Sequence, residues 1–423
     1  MSSTSNINTT CPHQRTLDAV AVDRLHIINT SKQASISIMD TGFNMVAIES
    51  LVVLFTACII YTLSSSKRSK TRFHNQEDNK KKPSSSWPTW PAFPLTHLFS
   101  SLFSCSGTPP VTANISQQPP YAMPPLKPSA ARPTSMGLKR LNQSNWLTID
   151  AHYNSEHALR ASLLETCKPN VLQVLPGAEP ACHELLEQVV SFLTTRYPQS
   201  FTLHARSSTI YSHLTQETFA IGEKCENPLE TAARLCMEDF NILIKDPESG
   251  EFRLMASATL FPAGWKLQER IGSSMAALHA PVPGWKEKLG RSVDRYFTHL
   301  TSKSCMERSN LFIQTTPVLF QDMPEVPSTS LTADDIFVRR ERQTFTRLER
   351  SEAVLFTVRT YMEKLVDMDA EEVDALGKQV RGWEGEMAKY KGIEGWGKVC
   401  LEFCDEVTAA REGERGGNVE EKS

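Results

Sequence analysis

Two segments, Asp335–Leu348 and Ala353–Tyr361, constrain the fold of this chain more than any other feature. Both alternate with a period of two, and only Glu349, Arg350, Ser351 and Glu352 separate them. So short a connection leaves no room for a crossover, which predicts an antiparallel hairpin within one sheet. Phe252–Leu260 also alternates like a strand, and Arg308–Phe320 reads as another. Glu179–Tyr197 carries Leu185, Val189 and Phe192 at helical spacing, and Leu229–Leu243 reads as a second helix. Helices return from Ala370, with Trp383 and Trp396 as packing anchors. Hairpins flanked by helices predict an α+β fold and not a doubly wound one.

The stretch Trp265–Pro283, WKLQERIGSSMAALHAPVP, places Leu267, Ile271, Met275 and His279 four residues apart, on one face of an expected helix. Small residues from Gly272 to Ala277 surround that stripe, and Pro281 and Pro283 stop it. His279 then falls in the last turn, where the helix dipole favours an electron-rich imidazole. Two readings stay open: an axial metal or heme ligand, or a hydrogen-bonded core histidine.

In the first strand of the hairpin the period of two sorts Arg339, Glu341, Gln343, Phe345 and Arg347 onto one face, opposite Arg340, Arg342, Thr344 and Thr346. Guanidinium groups suit carboxylates and phosphates because their donors form a planar fork. The strand is thus either an anion clamp, for example on heme propionates, or a solvated face laced with Arg–Glu pairs.

Other signals bound the class. With 423 residues, 22% of them charged and a net charge of -3, the chain is neither a basic nucleic-acid binder nor an acidic disordered protein. Its 10 cysteines are scattered, without a CxxC or a zinc-spaced histidine pair, which argues against a disulfide framework or a structural zinc site and favours a reducing compartment. Cys400 and Cys404 read as core, and the adjacent acids Glu238 and Asp239 as a solvated or salt-bridged face. Dinucleotide, P-loop, HExxH and GxSxG motifs are missing from the sequence.

Residues 1–41 carry no interpretable pattern. Residues 42–63 include the apolar run VAIESLVVLFTACIIYTL, long enough for a transmembrane helix. Lys67, Arg68, Lys70 and Arg72 follow it, so the positive-inside rule predicts a single-pass protein, by default of the endoplasmic reticulum, with its C-terminal part cytosolic. Residues 64–135 turn basic and then rich in Pro and Ser, a semi-rigid tether. The globular domain is expected over residues 136–411, with a disordered tail at 412–423.

Five stretches in order resemble the heme-dependent oxidative N-demethylase-like family: GLKRLNQSNWLTID (Gly137–Asp150), MEDFNILI (Met237–Ile244), LFPAGWKLQERIGSSMAALHAPVPGW (Leu260–Trp285), MERSN (Met306–Asn310) and FVRRERQTFTRLERSEAVLFTVRTY (Phe337–Tyr361). The resemblance implies a PAS-like antiparallel sheet with flanking helices enclosing a heme pocket. It implies heme b as cofactor and His279 as axial ligand of the heme iron. Arg339, Glu341, Arg342 and Gln343 match the family's R-x-E-R-Q stretch and would line the heme or substrate pocket, with Arg308, Asn310 and Trp265. The implied activity is O2-dependent oxidation of a small secondary amine, releasing formaldehyde. Electrons would come from a flavin and iron–sulfur or other NAD(P)H-dependent reductase, since the chain carries neither signature. No nucleic-acid partner is expected, and the membrane would be met through the single span.

The chain departs from the family pattern at Asn310-Leu311, where Asn-Trp is usual, and at Glu349 and Glu352 of the hairpin turn, where Pro and Gly are usual. The alternative to an enzyme is a heme or small-ligand sensor of the same fold without turnover.

Overall fold

The computed structural model describes residues 110–126, 136–326, 328 and 330–420, with side chains as far as residue 413. All of them belong to one compact unit within residues 91–423. The chain forms β1 (Lys139–Arg140), α1 (Tyr153–Thr166), β2 (Leu172–Val174) and α2 (Glu179–Arg196), and then the strands β3 (Phe201–His204), β4 (Thr209–Ser212) and β5 (Glu217–Ala220). Helix α3 (Pro228–Leu235) leads into β6 (Asp239–Lys245) and β7 (Phe252–Ala258). An irregular excursion carries α4 (Met275–Leu278) and α5 (Gly290–His299). It returns through β8 (Met306–Gln314), β9 (Phe337–Arg347) and β10 (Val354–Lys364) to the helices α6 (Ala370–Arg381), α7 (Gly385–Tyr390) and α8 (Ile393–Glu420).

Seven strands form one antiparallel sheet in the order β1-β8-β9-β10-β6-β7-β2, and β3-β4-β5 form a small second sheet. The expected hairpin is its spine: β9 and β10 pair without interruption from Arg347↔Val354 to Phe337↔Lys364. Glu352 closes the turn at φ 55°, a left-handed conformation for which glycine is usual. On one face, Leu311, Ile313 and Val338 pack against Val373, Leu376 and Val380 of α6 and Trp396 and Cys400 of α8. On the other, Leu243, Phe345 and Val354 pack against Leu267, Trp285, Val293 and Phe297 of the excursion. Burial of these side chains contributes about 1.5–3 kcal/mol each.

Both faces of β9 are therefore covered, and neither cationic row is solvated. Arg340 pairs with Glu372 at 2.9 Å, and Arg342 with Glu307 at 2.8 Å. Arg359 of β10 bridges Asp150 at 3.0 Å and Glu156 at 2.8 Å. Glu238 and Asp239 are also buried rather than solvated: Asp239 pairs with Arg160 at 2.9 Å, and Glu238 accepts from the Thr148 amide at 2.8 Å.

Three expectations change. The fold class is corrected: the chain is α+β around a large antiparallel sheet, but among the described residues no helix is long and apolar enough to cross a membrane. A transmembrane helix as part of the fold, and a single-pass location in the endoplasmic reticulum, are thus unsupported. The apolar run at 42–63 itself lies outside the described residues. Second, Leu229–Leu243 is not one helix. It stops at Leu235, and Asp239–Lys245 becomes a central strand because both its edges are claimed, by β10 and by β7. Third, Trp265–Pro283 is broken. Gly272 takes φ 77°, and its amide and the Ser273 carbonyl pair with Leu254 of β7, so the stretch keeps a 3-10 turn at Leu267–Glu269 and a single α-helical turn at Met275–Leu278.

The first described stretch, residues 110–126, belongs to the Pro-rich segment expected as a tether, yet it is docked. The Val111 amide donates to Arg196 O at 2.8 Å, the Tyr121 ring lies 4.2 Å from the Arg342 guanidinium, and Pro124 O accepts from Arg340. At the other end, α8 continues to Glu420, through most of the stretch expected as a tail.

Candidate heme-ligating site

The excursion between β7 and β8 positions His279. Ser274 caps the single turn of α4, its hydroxyl accepting from the Ala277 amide, and His279 follows as the last residue of that turn. Its Nδ1 lies 3.0 Å from Met275 O. A carbonyl only accepts, so Nδ1 carries the proton and Nε2 keeps its lone pair. The ring is stacked on Trp285, with centroids 3.8 Å apart and planes 9° from parallel. Burial, reinforced by the nearby Arg308 and Arg270 charges and opposed by the Met275 hydrogen bond, pushes its pKa down to about 4. The imidazole is therefore neutral at physiological pH, the state a metal requires.

Arg270 ties this segment together. Its Nη1 donates to Leu278 O at 2.6 Å, and its guanidinium lies 5.5 Å from the Trp265 ring. The register of β8 on β9 sets Arg308 opposite Gln343 and Asn310 opposite Glu341. Arg308 Nε donates to Gln343 Oε1 at 2.7 Å, and Gln343 Nε2 to Glu341 Oε2 at 3.0 Å. Asn310 Nδ2 and Arg339 Nε reach the Glu341 carboxylate at 3.4 Å each. The two terminal nitrogens of Arg308 make no hydrogen bond among the described residues, while burial lowers the pKa of this group against the pull of Glu341.

The expected residues thus separate into three groups. His279, Trp265, Arg308, Asn310, Glu341 and Gln343 come together on the sheet face beneath the excursion. Arg339 lies on the same face, but its fork is consumed by Gln314 Oε1, Leu319 O and Phe261 O, which makes it a tie between loops. Arg342 stands on the opposite face, against Glu307, the Trp146 carbonyl and Tyr121, away from the pocket that the resemblance implied for it. Sequence reasoning missed Trp285, Arg270 and Lys391. Lys391 Nζ donates to Leu311 O at 2.7 Å, lies 4.1 Å from the Phe312 ring, and is pushed down to about 8 by burial and Arg308. No local pattern announces it, since it reaches the site from the far end of the chain.

The donor set can be tested against a metal group. Among the described residues no three His, Cys, Asp or Glu are placed to hold a metal ion. One ready imidazole alone makes a poor metal site. It makes a sufficient one if the remaining donors belong to a macrocycle, and unpaired guanidinium nitrogens nearby suit the carboxylates such a group carries. The residues fit heme.

An α+β domain that brings a neutral histidine and an arginine with two free terminal nitrogens to one sheet face has side chains suited to a metal-bearing, anionic cofactor. The comparison with known families is specific. The family described as haem-dependent oxidative N-demethylase, alpha subunit-like, matches residues 137–401, and the chain belongs to it. A heme-dependent, oxidoreductase-type function follows from that membership.

Proposed function

We propose that this protein oxidatively N-demethylates a small secondary amine, using O2 and electrons from a separate NAD(P)H-dependent flavin and iron–sulfur protein, and releases formaldehyde. The observation that carries the reading is the Nδ1–H···O=C bond of His279 to Met275, which fixes the tautomer and leaves Nε2 for iron. The cofactor is heme b, held without covalent attachment, because no Cys-x-x-Cys-His stretch occurs in the sequence. When bound, heme supplies the O2 chemistry. The protein's own residues do the rest. Arg308 offers its free nitrogens to carboxylates, and Glu341, held by Gln343, Asn310 and Arg339, sets a fixed negative charge beside which an alkylammonium is favoured. Trp285, stacked on the imidazole, shields one of its faces from water.

The test is an absorption spectrum of the full chain produced with heme supply, beside His279→Ala. A Soret band that shifts on reduction, and moves or fades in the variant, is expected, followed by reductant-dependent formaldehyde release from N-methyl amines. A folded protein without heme overturns the reading. Heme binding without formaldehyde release from any N-methyl amine favours the sensor alternative.

A further inference from the structure

We propose that the outer face of α5 and of the turn before it is the docking surface for an acidic, electron-donating protein; this rests on the demethylase reading. Val293 and Phe297 point α5 into the core, which leaves Arg291 and Arg295 exposed on its outer side. Lys286, Lys288 and Lys303 are exposed in the adjoining turns, whereas the same stretch exposes only the acids Glu287 and Asp294. None of these five cations forms an ion pair among the described residues. The concentration is local, for the whole chain carries a net charge of -3.

The position of this surface gives it meaning. Trp285 heads the cationic stretch, and its indole stacks on His279 at 3.8 Å. The α carbon of Gly290, at the start of α5, is seated on that same indole: a β carbon there would lie 3.5 Å from Trp285 Nε1. Imidazole, indole and cationic helix are thus successive layers from the proposed iron ligand outward. N-demethylation of R–NH–CH3 consumes O2, two electrons and two protons and yields R–NH2, CH2O and H2O. The two electrons must come from a reduced flavin or iron–sulfur protein. Electron-transfer encounters are small and steered by charge, so a compact cationic face beside the redox centre selects an acidic partner. A membrane surface fits less well, because the large exposed apolar residues Val174, Met323, Val326 and Tyr390 lie outside this stretch, and a surface-bound helix needs an apolar anchor.

The test uses the full chain and, as probe, an acidic plant-type [2Fe–2S] ferredoxin, with binding followed by calorimetry at low and near-physiological ionic strength. Wild-type affinity should fall with salt, and Lys288→Glu/Arg291→Glu/Arg295→Glu should lose about tenfold or more at low salt. Lys398→Glu, on α8, should bind like wild type, and an unchanged Soret band in the triple variant shows that it is folded. Equal ferredoxin affinity in wild type and triple variant overturns the proposal. So does charge-dependent binding to phosphatidylserine vesicles with no such dependence toward ferredoxin. Charge-dependent ferredoxin binding by a protein that carries no heme would support the surface while overturning the demethylase reading. Heme binding with formaldehyde release but no effect of the triple variant would do the reverse.

Discussion

His279 and Trp285 are six residues apart in sequence and stacked face to face, 3.8 Å between centroids and 9° from parallel, across the Pro281–Pro283 turn. The indole thereby fixes the imidazole plane that the Met275 hydrogen bond alone leaves free to rock. Trp285→Ala should weaken heme binding about 10- to 100-fold, the usual cost of losing support behind a metal ligand. Heme titration of the apoprotein measures this, and His279→Ala gives the floor. Trp285→Phe, which keeps a stacking ring, should restore most of the affinity.

The same burial makes His279 a liability in acid. Its pKa in the folded protein, about 4, lies below the value near 6.5 of an exposed histidine. Between those two values the unfolded chain binds a proton that the folded one refuses, so stability falls as pH drops from about 6.5 toward 4. The loss attributable to this group should reach on the order of 2–3 kcal/mol. In chemical denaturation of the heme-free protein, His279→Gln should show a flatter pH dependence over that window. A parallel decline in both proteins would contradict the assigned cause.

The hairpin was legible because a strict period of two and a four-residue connection admit only one arrangement, and β9–β10 indeed forms the centre of the sheet. The same period already separates Arg342 from Arg339, Glu341 and Gln343. Grouping all four as pocket residues followed the resemblance rather than the alternation, and the structure honours the alternation. What stayed hidden depends on distant partners. Nothing local distinguishes Leu229–Leu235, which is helix, from Asp239–Lys245, whose strand state is imposed by two neighbours. The break at Gly272 arises likewise from pairing with Leu254, outside the helical window. Lys391 and the Thr148–Glu238 contact join positions far apart in the chain, and no spacing encodes them.

Arg359 is 1% exposed and held by two carboxylates, Asp150 at 3.0 Å and Glu156 at 2.8 Å. Removing it leaves two carboxylates facing each other in a dry interior. Arg359→Met should therefore cost about 3–5 kcal/mol. Adding Asp150→Asn and Glu156→Gln should recover a large part of that loss, because the charges that the arginine compensated are gone. Urea denaturation of wild type, Arg359→Met, Asp150→Asn/Glu156→Gln and the triple variant reads the cycle. No recovery in the triple variant would mean that Arg359 acts by packing and not by charge compensation.

Glu238 offers the opposite sign. It is buried, its Oε1 accepts from the Thr148 amide at 2.8 Å and hydroxyl at 3.1 Å, and its Oε2 finds no partner among the described residues. Burial pushes its pKa up, against the pull of Arg359, the Thr148 hydrogen bonds and Arg342. A carboxyl whose folded pKa exceeds its unfolded one favours folding below the unfolded value and loses that advantage as pH rises through the folded one. Glu238→Gln keeps the shape and the acceptor without the ionisation. It should match wild type near pH 4 and gain in relative stability as pH rises toward 8. Thr148→Val, by contrast, removes one hydrogen bond to Oε1 and should destabilise by about 1 kcal/mol. Melting temperatures across that range decide the matter: if Glu238→Gln loses stability relative to wild type at alkaline pH, then Arg359 and Arg342 outweigh desolvation and the carboxylate is ionised in the fold.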